Sequence, residues 1–101
     1  MNYHKLVRDR IPEIITAGGS KPDWETLDNA SYLQLLEEKL EEELAEYFES
    51  KNIIELADLI EVIYAVAEAK GYTIEQLEQE RLKKAAQRGA FKKKILLKQV
   101  T

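Results

Sequence analysis

The chain has no cysteine, one histidine, one methionine, one tryptophan and two prolines. Without cysteine, disulfides and thiolate metal sites are excluded, which fits a cytoplasmic location. The lone histidine, His4, reads as a surface residue, so an imidazole-rich transition-metal centre finds no ligands here. Long hydrophobic runs are also missing. A bilayer-spanning helix needs about 20 consecutive apolar residues, and the opening MNYHKLVRDR is too polar for a secretory leader. The expectation is a cytoplasmic protein without membrane association. At 101 residues the chain suits a single domain over 1–101. A domain this small buries roughly 60–70% of its unfolded surface. A deep site is therefore easier to enclose when a second copy supplies one wall.

Basic residues are scarce in the middle of the chain. Between Gln34 and Glu80 stand fourteen acids and three bases, Lys39, Lys51 and Lys70. From Arg81 to Lys98 there are eight bases and no acid, and the N-terminal stretch adds Lys5, Arg8 and Arg10 against Asp9. A plain nucleic-acid binder shows a dominant basic face, and the acidic middle argues against one. A metal-plus-phosphate site needs both signs. Mutual neutralisation of the two regions across the fold accounts for the pattern equally well.

The hydrophobic spacing predicts four helices and no repeats. A short helix is expected over Val7–Ala17, with Val7, Ile11, Ile14 and Ile15 on one face, Pro12 near its start and Gly18-Gly19 at its end. Residues 20–28 form a loop, and Asp28 or Asn29 caps a second helix that runs to about Ser50. Leu33, Leu36, Leu40, Leu44, Tyr47 and Phe48 make its apolar stripe. After a break at Lys51-Asn52, a third helix runs from about Ile53 to Lys70, with Gly71 just past its end. Thr73 and Gln76 match a capping box opening a fourth helix that stops at Gly89. The tail AFKKKILLKQVT reads as a short strand or an extended arm. The fold class is all-α: a helical bundle built on an antiparallel hairpin of the second and third helices.

Two acidic patterns stand out. The second helix carries Glu38–Glu42, Glu42–Glu46, Glu43–Glu46 and Glu46–Glu49 at like-charge helical spacings, each costing roughly 0.2–0.5 kcal/mol when unrelieved. Only Lys39 is interspersed, facing Glu42 and Glu43. On the apolar third helix, Glu55, Asp58 and Glu61 form a narrow stripe with no base three or four residues away. The stripe is either the solvated face of an amphipathic helix or a set of carboxylates held close to protein on both sides. Carboxylates in the second situation must be paired, protonated or metal-bound. At about 1.5 Å rise per residue, an antiparallel hairpin sets Glu43 and Glu46 level with Glu55 and Asp58. Four carboxylates converging in one layer, with no His or Cys, point to Mg²⁺ or Mn²⁺.

The ordered set Glu42-Glu43-Leu44-Ala45-Glu46, then Glu55-Leu56-Ala57-Asp58, resembles the EExxE and ExxD pattern of the all-α nucleotide pyrophosphohydrolase superfamily, the MazG-like and phosphoribosyl-ATP pyrophosphohydrolase-like proteins. The opening KLVRDRIPEII and the C-terminal region around Arg81-Leu82-Lys83-Lys84 and Arg88-Gly89-Ala90-Phe91 are similar to a small branch of it. The resemblance covers nearly the whole chain. The eight residues 47–54 between the motifs are a shorter spacer than many MazG-like proteins carry, which bears on pocket size rather than on the hairpin. The resemblance implies that Glu43, Glu46, Glu55 and Asp58 are metal ligands. Glu42 and Glu61 would be auxiliary acids, holding a second ion or orienting the attacking water. The implied reaction is Mg²⁺-dependent hydrolysis of a nucleoside triphosphate between its α and β phosphates, giving a monophosphate and pyrophosphate. Lys5, Arg8, Arg81, Lys84 and Arg88 are candidates for phosphate contacts, with surface charge as the alternative for each. Tyr64 would either stack a base or fill the core. A homodimer or homotetramer is expected. Two other readings share these features: hydrolysis of phosphoribosyl-ATP in histidine biosynthesis, and a non-catalytic helical nucleotide-binding or regulatory module.

Overall fold

The computed structural model describes residues 4–101, and all its regular secondary structure is helical. The helices are α1 (Ile11–Ala17), α2 (Asn29–Ser50), α3 (Ile53–Ala69) and α4 (Ile74–Arg88). Among the described residues, no helix is long and apolar enough to cross a membrane. Their ends follow local chemistry. Asp28 accepts a hydrogen bond from the Ser31 amide and caps α2. Asn52 accepts one from Ile54 and caps α3. Thr73 and Gln76 form a reciprocal capping box on α4. Gly71 follows α3 at φ +91°, a conformation open to glycine at little cost. Between α2 and α3, Lys51 takes the left-handed conformation at φ 57°, and its ammonium lies over the rings of Tyr47 and Phe48, 5.6 and 5.0 Å from the centroids. Two residues thus reverse the chain.

The reversed helices α2 and α3 pack along their length, and the Asn29 side chain donates a hydrogen bond to the Ala69 carbonyl at the far end. Leu36 on α2 and Ala67 on α3 are the buried apolar residues of this seam. Helix α4 packs on α3 over a short stretch only.

Two expectations need correction. First, α1 begins at Ile11, not Val7. Pro12 sits in the first turn, where its missing amide is tolerated, and residues 4–10 before it are irregular. Second, α1 packs on no other helix and leaves Val7, Ile14 and Ile15 exposed, so the bundle consists of the α2–α3 hairpin with α4. Of the two alternatives for the tail, the strand does not form; it runs as an exposed arm without regular structure. Phe91 is 97% exposed, and Ile95, Leu96, Leu97 and Val100 are exposed with it.

The radius of gyration is 17.9 Å, against roughly 13 Å for a compact chain of this length. The apolar stripe of α2 is only partly covered, with Leu44 and Phe48 exposed. On α3, Ile53, Ile54 and Ile60 are 74%, 62% and 48% exposed. These residues gather at the hairpin's closed end and on one side of α3.

The α4 cap gives a direct test of this reading of the helix ends. Thr73→Ala removes the hydroxyl that accepts from the Gln76 amide, and is expected to lower stability by about 1 kcal/mol. A thermal melt followed by circular dichroism checks this.

Candidate functional site

The carboxylates converge because the two-residue reversal fixes the register of the hairpin. Oxygen atoms of Glu43, Glu55 and Asp58 lie within 4.8 Å of one another, and so do those of Glu42, Glu43 and Glu46. Glu43 belongs to both groups. It is the one buried charged residue among the described residues, at 7% exposure, while Glu42, Glu46, Glu55 and Asp58 around it are half-buried. The four carboxylates expected to share a layer therefore do so, with Glu42 beside them. Glu61, one turn beyond Asp58 on α3, is exposed and lies outside both groups.

The electrostatics concentrate on Glu43. Lys39 approaches one of its oxygens, Oε1, at 3.5 Å, and Oε1 of Glu42 at 3.4 Å. The other oxygen of Glu43, Oε2, is buried without a hydrogen-bond partner. A buried polar atom without a partner costs about 1–3 kcal/mol, and more when charged. Burial raises the Glu43 carboxyl above its ordinary 4.5, and the neighbouring Glu46 carboxylate adds to the rise. Glu55 is raised for the same reasons, burial first and then the charges of Glu46 and Asp58. Such a group, two lone pairs turned into a ring of further carboxylates, is suited to a hard cation. Mg²⁺ and Mn²⁺ accept oxygen ligands of this kind.

Basic side chains also enter the layer, which the sequence did not reveal. The Arg8 guanidinium donates through Nη2 to Asp58 Oδ1 at 2.7 Å. Lys5 Nζ lies 3.6 Å from Glu42 Oε1. Asp58 was expected to have no basic partner, because none stands within a helical turn of it. Its partner comes from fifty residues upstream, on an irregular segment that no periodicity reports.

The other proposed phosphate contacts are placed differently. Arg81 is an ion-pair partner of Glu78 on the same helix, which raises its guanidinium, with a smaller contribution from nearby Tyr64. Tyr64 is half-buried on α3. Lys84 and Arg88 are exposed on α4 and form no ion pair among the described residues. Two surface depressions lie apart from the carboxylate layer. One, of about 480 Å³, follows α2 past Ala30, Leu33, Glu37 and Glu41, and the other, of about 250 Å³, lies between Leu40, Ile63, Val66 and Leu77. Of the layer's carboxylates, Glu42, Glu46, Glu55 and Asp58 are half-buried and so reach solvent.

An uncharacterized protein of Mycolicibacterium smegmatis is 52% identical over 42 residues, which cover 42% of this chain and 43% of that protein. The matched segment is thus less than half of either. No family model and no solved structure matches the chain. The comparisons therefore assign no family, and the class is defined by the structure: an all-helical chain with a carboxylate layer across a helical hairpin.

The raised carboxyls set a pH dependence with a definite sign. Glu43 and Glu55 hold protons in the folded chain at pH values where the unfolded chain has lost them, so folding is favoured by acid within that window. In EDTA, stability is expected to fall as pH rises above 4.5, through the raised values of these two groups. Asp28 and Glu78, lowered by their bonds to the Ser31 amide and Arg81, act in the opposite sense, but only below 3.8 and 4.5 respectively. Glu43→Gln should flatten the fall above pH 4.5. Thermal melts from pH 4.5 to 8 would show it, and an unaltered slope would locate the strain elsewhere.

Proposed function

We propose that this chain is a Mg²⁺-dependent nucleotide pyrophosphohydrolase of the MazG-like kind, cleaving a nucleoside triphosphate between its α and β phosphates. The observation that carries the reading is the buried Glu43 carboxylate, its Oε2 unpartnered and its two neighbour groups made wholly of carboxylates. A salt-bridge network would bring a base to that oxygen, and a solvated acidic face would leave it in water.

On this reading Glu43, Glu46, Glu55 and Asp58 hold the ion. A bound Mg²⁺ supplies charge neutralisation for the phosphates and activates water toward phosphorus. Hydrolysis forms one bond from the water oxygen to phosphorus and breaks the bridging P–O bond, and the lost proton passes to a carboxylate. Glu42 lies in the layer beside Glu43 and suits that role. Glu61 is exposed one turn away and reaches only a substrate lying over the α3 face. Lys5 and Arg8 stand at the layer's edge, within reach of a phosphate chain. Lys84, Arg88 and Arg81 belong to α4 and would serve a more distant part of the nucleotide, with Tyr64, near Arg81, as a stacking surface.

Neither of the two depressions described includes the layer, and ligand pockets usually bury most of the ligand surface. The exposed Leu44, Phe48, Ile53, Ile54 and Ile60 offer a face for a second copy, which would also supply the missing wall. A homodimer or homotetramer is the assembly this reading requires. Light scattering at micromolar concentration should report it, and a stable monomer would rule it out.

Asp58→Asn tests the ligand set. Losing an exposed pair with Arg8 should change apo stability by no more than about 1 kcal/mol. The parent should be stabilised by millimolar Mg²⁺ or Mn²⁺, by about 2.7 kcal/mol at a hundredfold excess over Kd. That shift should collapse in the variant, together with pyrophosphate release from a panel of nucleoside triphosphates. A parent whose melt ignores both ions, or a variant with full activity, would sink the proposal.

A further inference from the structure

The irregular segment 4–10 reaches the hairpin through two cations, and both land on carboxylates of the layer. Arg8 holds Oδ1 of Asp58, a residue whose carboxylate converges with those of Glu43 and Glu55. Lys5 lies against Glu42, which converges with Glu43 and Glu46. Helix α1, which continues the segment, packs on no other helix. These two ion pairs are therefore its charged links to the fold.

We infer that Lys5 and Arg8 compete with the divalent cation for the layer, and that cation loading hands both of them over to the phosphates of the substrate. The inference rests on the metal-dependent reading above and deepens it.

Charge and geometry both support the exchange. Five carboxylates, Glu42, Glu43, Glu46, Glu55 and Asp58, face three cations, Lys5, Arg8 and Lys39. A Mg²⁺-sized ion approaches its oxygen ligands to about 2.0–2.1 Å. A guanidinium on the same Asp58 carboxylate then sits beside a double positive charge, and like charges repel. Lys39 is fixed by its own helix to Glu42 and Glu43, at helical spacings of three and four residues, and its side chain is only 20% exposed. It has nowhere to go. Lys5 and Arg8 are 50% and 59% exposed on a segment without regular structure, so they are the ones released. A released guanidinium at the rim of the layer meets the next anion to arrive, and a polyphosphate held by the ion presents several oxygens in bidentate geometry.

The consequence is a sign that separates competition from support. A guanidinium that merely braces Asp58 would, when removed, loosen the site and weaken cation binding. A competitor, when removed, would tighten it.

The test is calorimetric titration of the full chain with Mn²⁺ alone, then of the Mn²⁺-saturated protein with inorganic pyrophosphate. Arg8→Ala should bind Mn²⁺ about two- to fivefold more tightly than the parent, the range expected for losing one exposed ion pair, and should bind pyrophosphate more weakly. Lys5→Ala should move both in the same directions by less, since its contact is longer. Arg10→Ala is the control, because its partner Glu13 lies outside the layer. It should leave Mn²⁺ binding unchanged. If the parent binds Mn²⁺ and Arg8→Ala binds it equally or less tightly, the competition is overturned while the metal reading stands. Undiminished pyrophosphate binding by both variants overturns the handover. A parent that binds no Mn²⁺ at millimolar concentration overturns both the inference and the reading beneath it.

Discussion

The structure is organised around one costly arrangement: a carboxylate, Glu43, held at 7% exposure with other carboxylates around it and one oxygen unpartnered. Burial and like charge both oppose ionisation there. Lys39 meets only the other oxygen, Oε1; a sequence free to relieve the rest would also place a base against Oε2 or turn Glu43 outward. Instead the hairpin register delivers Glu55 and Asp58 to the same place from the opposite helix. That register depends on Lys51 in a left-handed turn and Asn52 capping α3 at once. The reversal, the seam and the charged layer are thus one construction, since a longer connection would slide Asp58 away from Glu43.

The same economy leaves the rest of the chain under-packed. With Leu36 and Ala67 as its buried apolar residues, the seam provides little of the area that usually balances conformational entropy. The apolar residues that would enlarge it, Phe48, Ile53 and Ile54, stand at the hairpin's closed end facing solvent. Their position at one end matters. A layer of charge near the closed end of the seam, with an apolar surface beside it, is what a shared site between copies would present, which connects the half-buried carboxylates to the association proposed above.

Much of this was legible in the residues. Asp28, the Thr73–Gln76 box and the Lys51-Asn52 break announce their boundaries through hydrogen bonds made within three or four residues, and those helix ends are where the spacing put them. The carboxylate layer was legible for a related reason. Two periodic helices and a short turn leave only one antiparallel register. What lay beyond reach was set by long-range contacts on irregular chain. The apolar positions Val7, Ile14 and Ile15 have helical spacing, yet Pro12 fixes the start of α1 and no other helix packs on the face they make. Arg8 was recognised as a basic residue suited to phosphate, but its bond to Asp58 joins residues fifty apart and has no periodic signature. Glu61 shows the converse failure. Its spacing continues the stripe of Glu55 and Asp58, but three residues advance an α-helix about 300° rather than a full turn, so a stripe at that spacing drifts. By Glu61 it has rotated out of the layer and into solvent.

Lys39 and Arg8 contrast two ways of meeting the same charge. Lys39 is built into α2, three and four residues from its partners, and neutralises Glu42 and Glu43 at little entropic cost because the helix already aligns it. Arg8 must bring an otherwise unpacked segment with it to reach Asp58, and the ordering of that segment offsets part of what the pair contributes. A permanent counter-charge for Asp58 would be better placed on α2 or α3, as Lys39 is. Supplying it from a weakly held segment makes sense when the pair has to break, and the half-buried Asp58 carboxylate, rather than the buried Glu43, is where it can break without stranding a charge away from water.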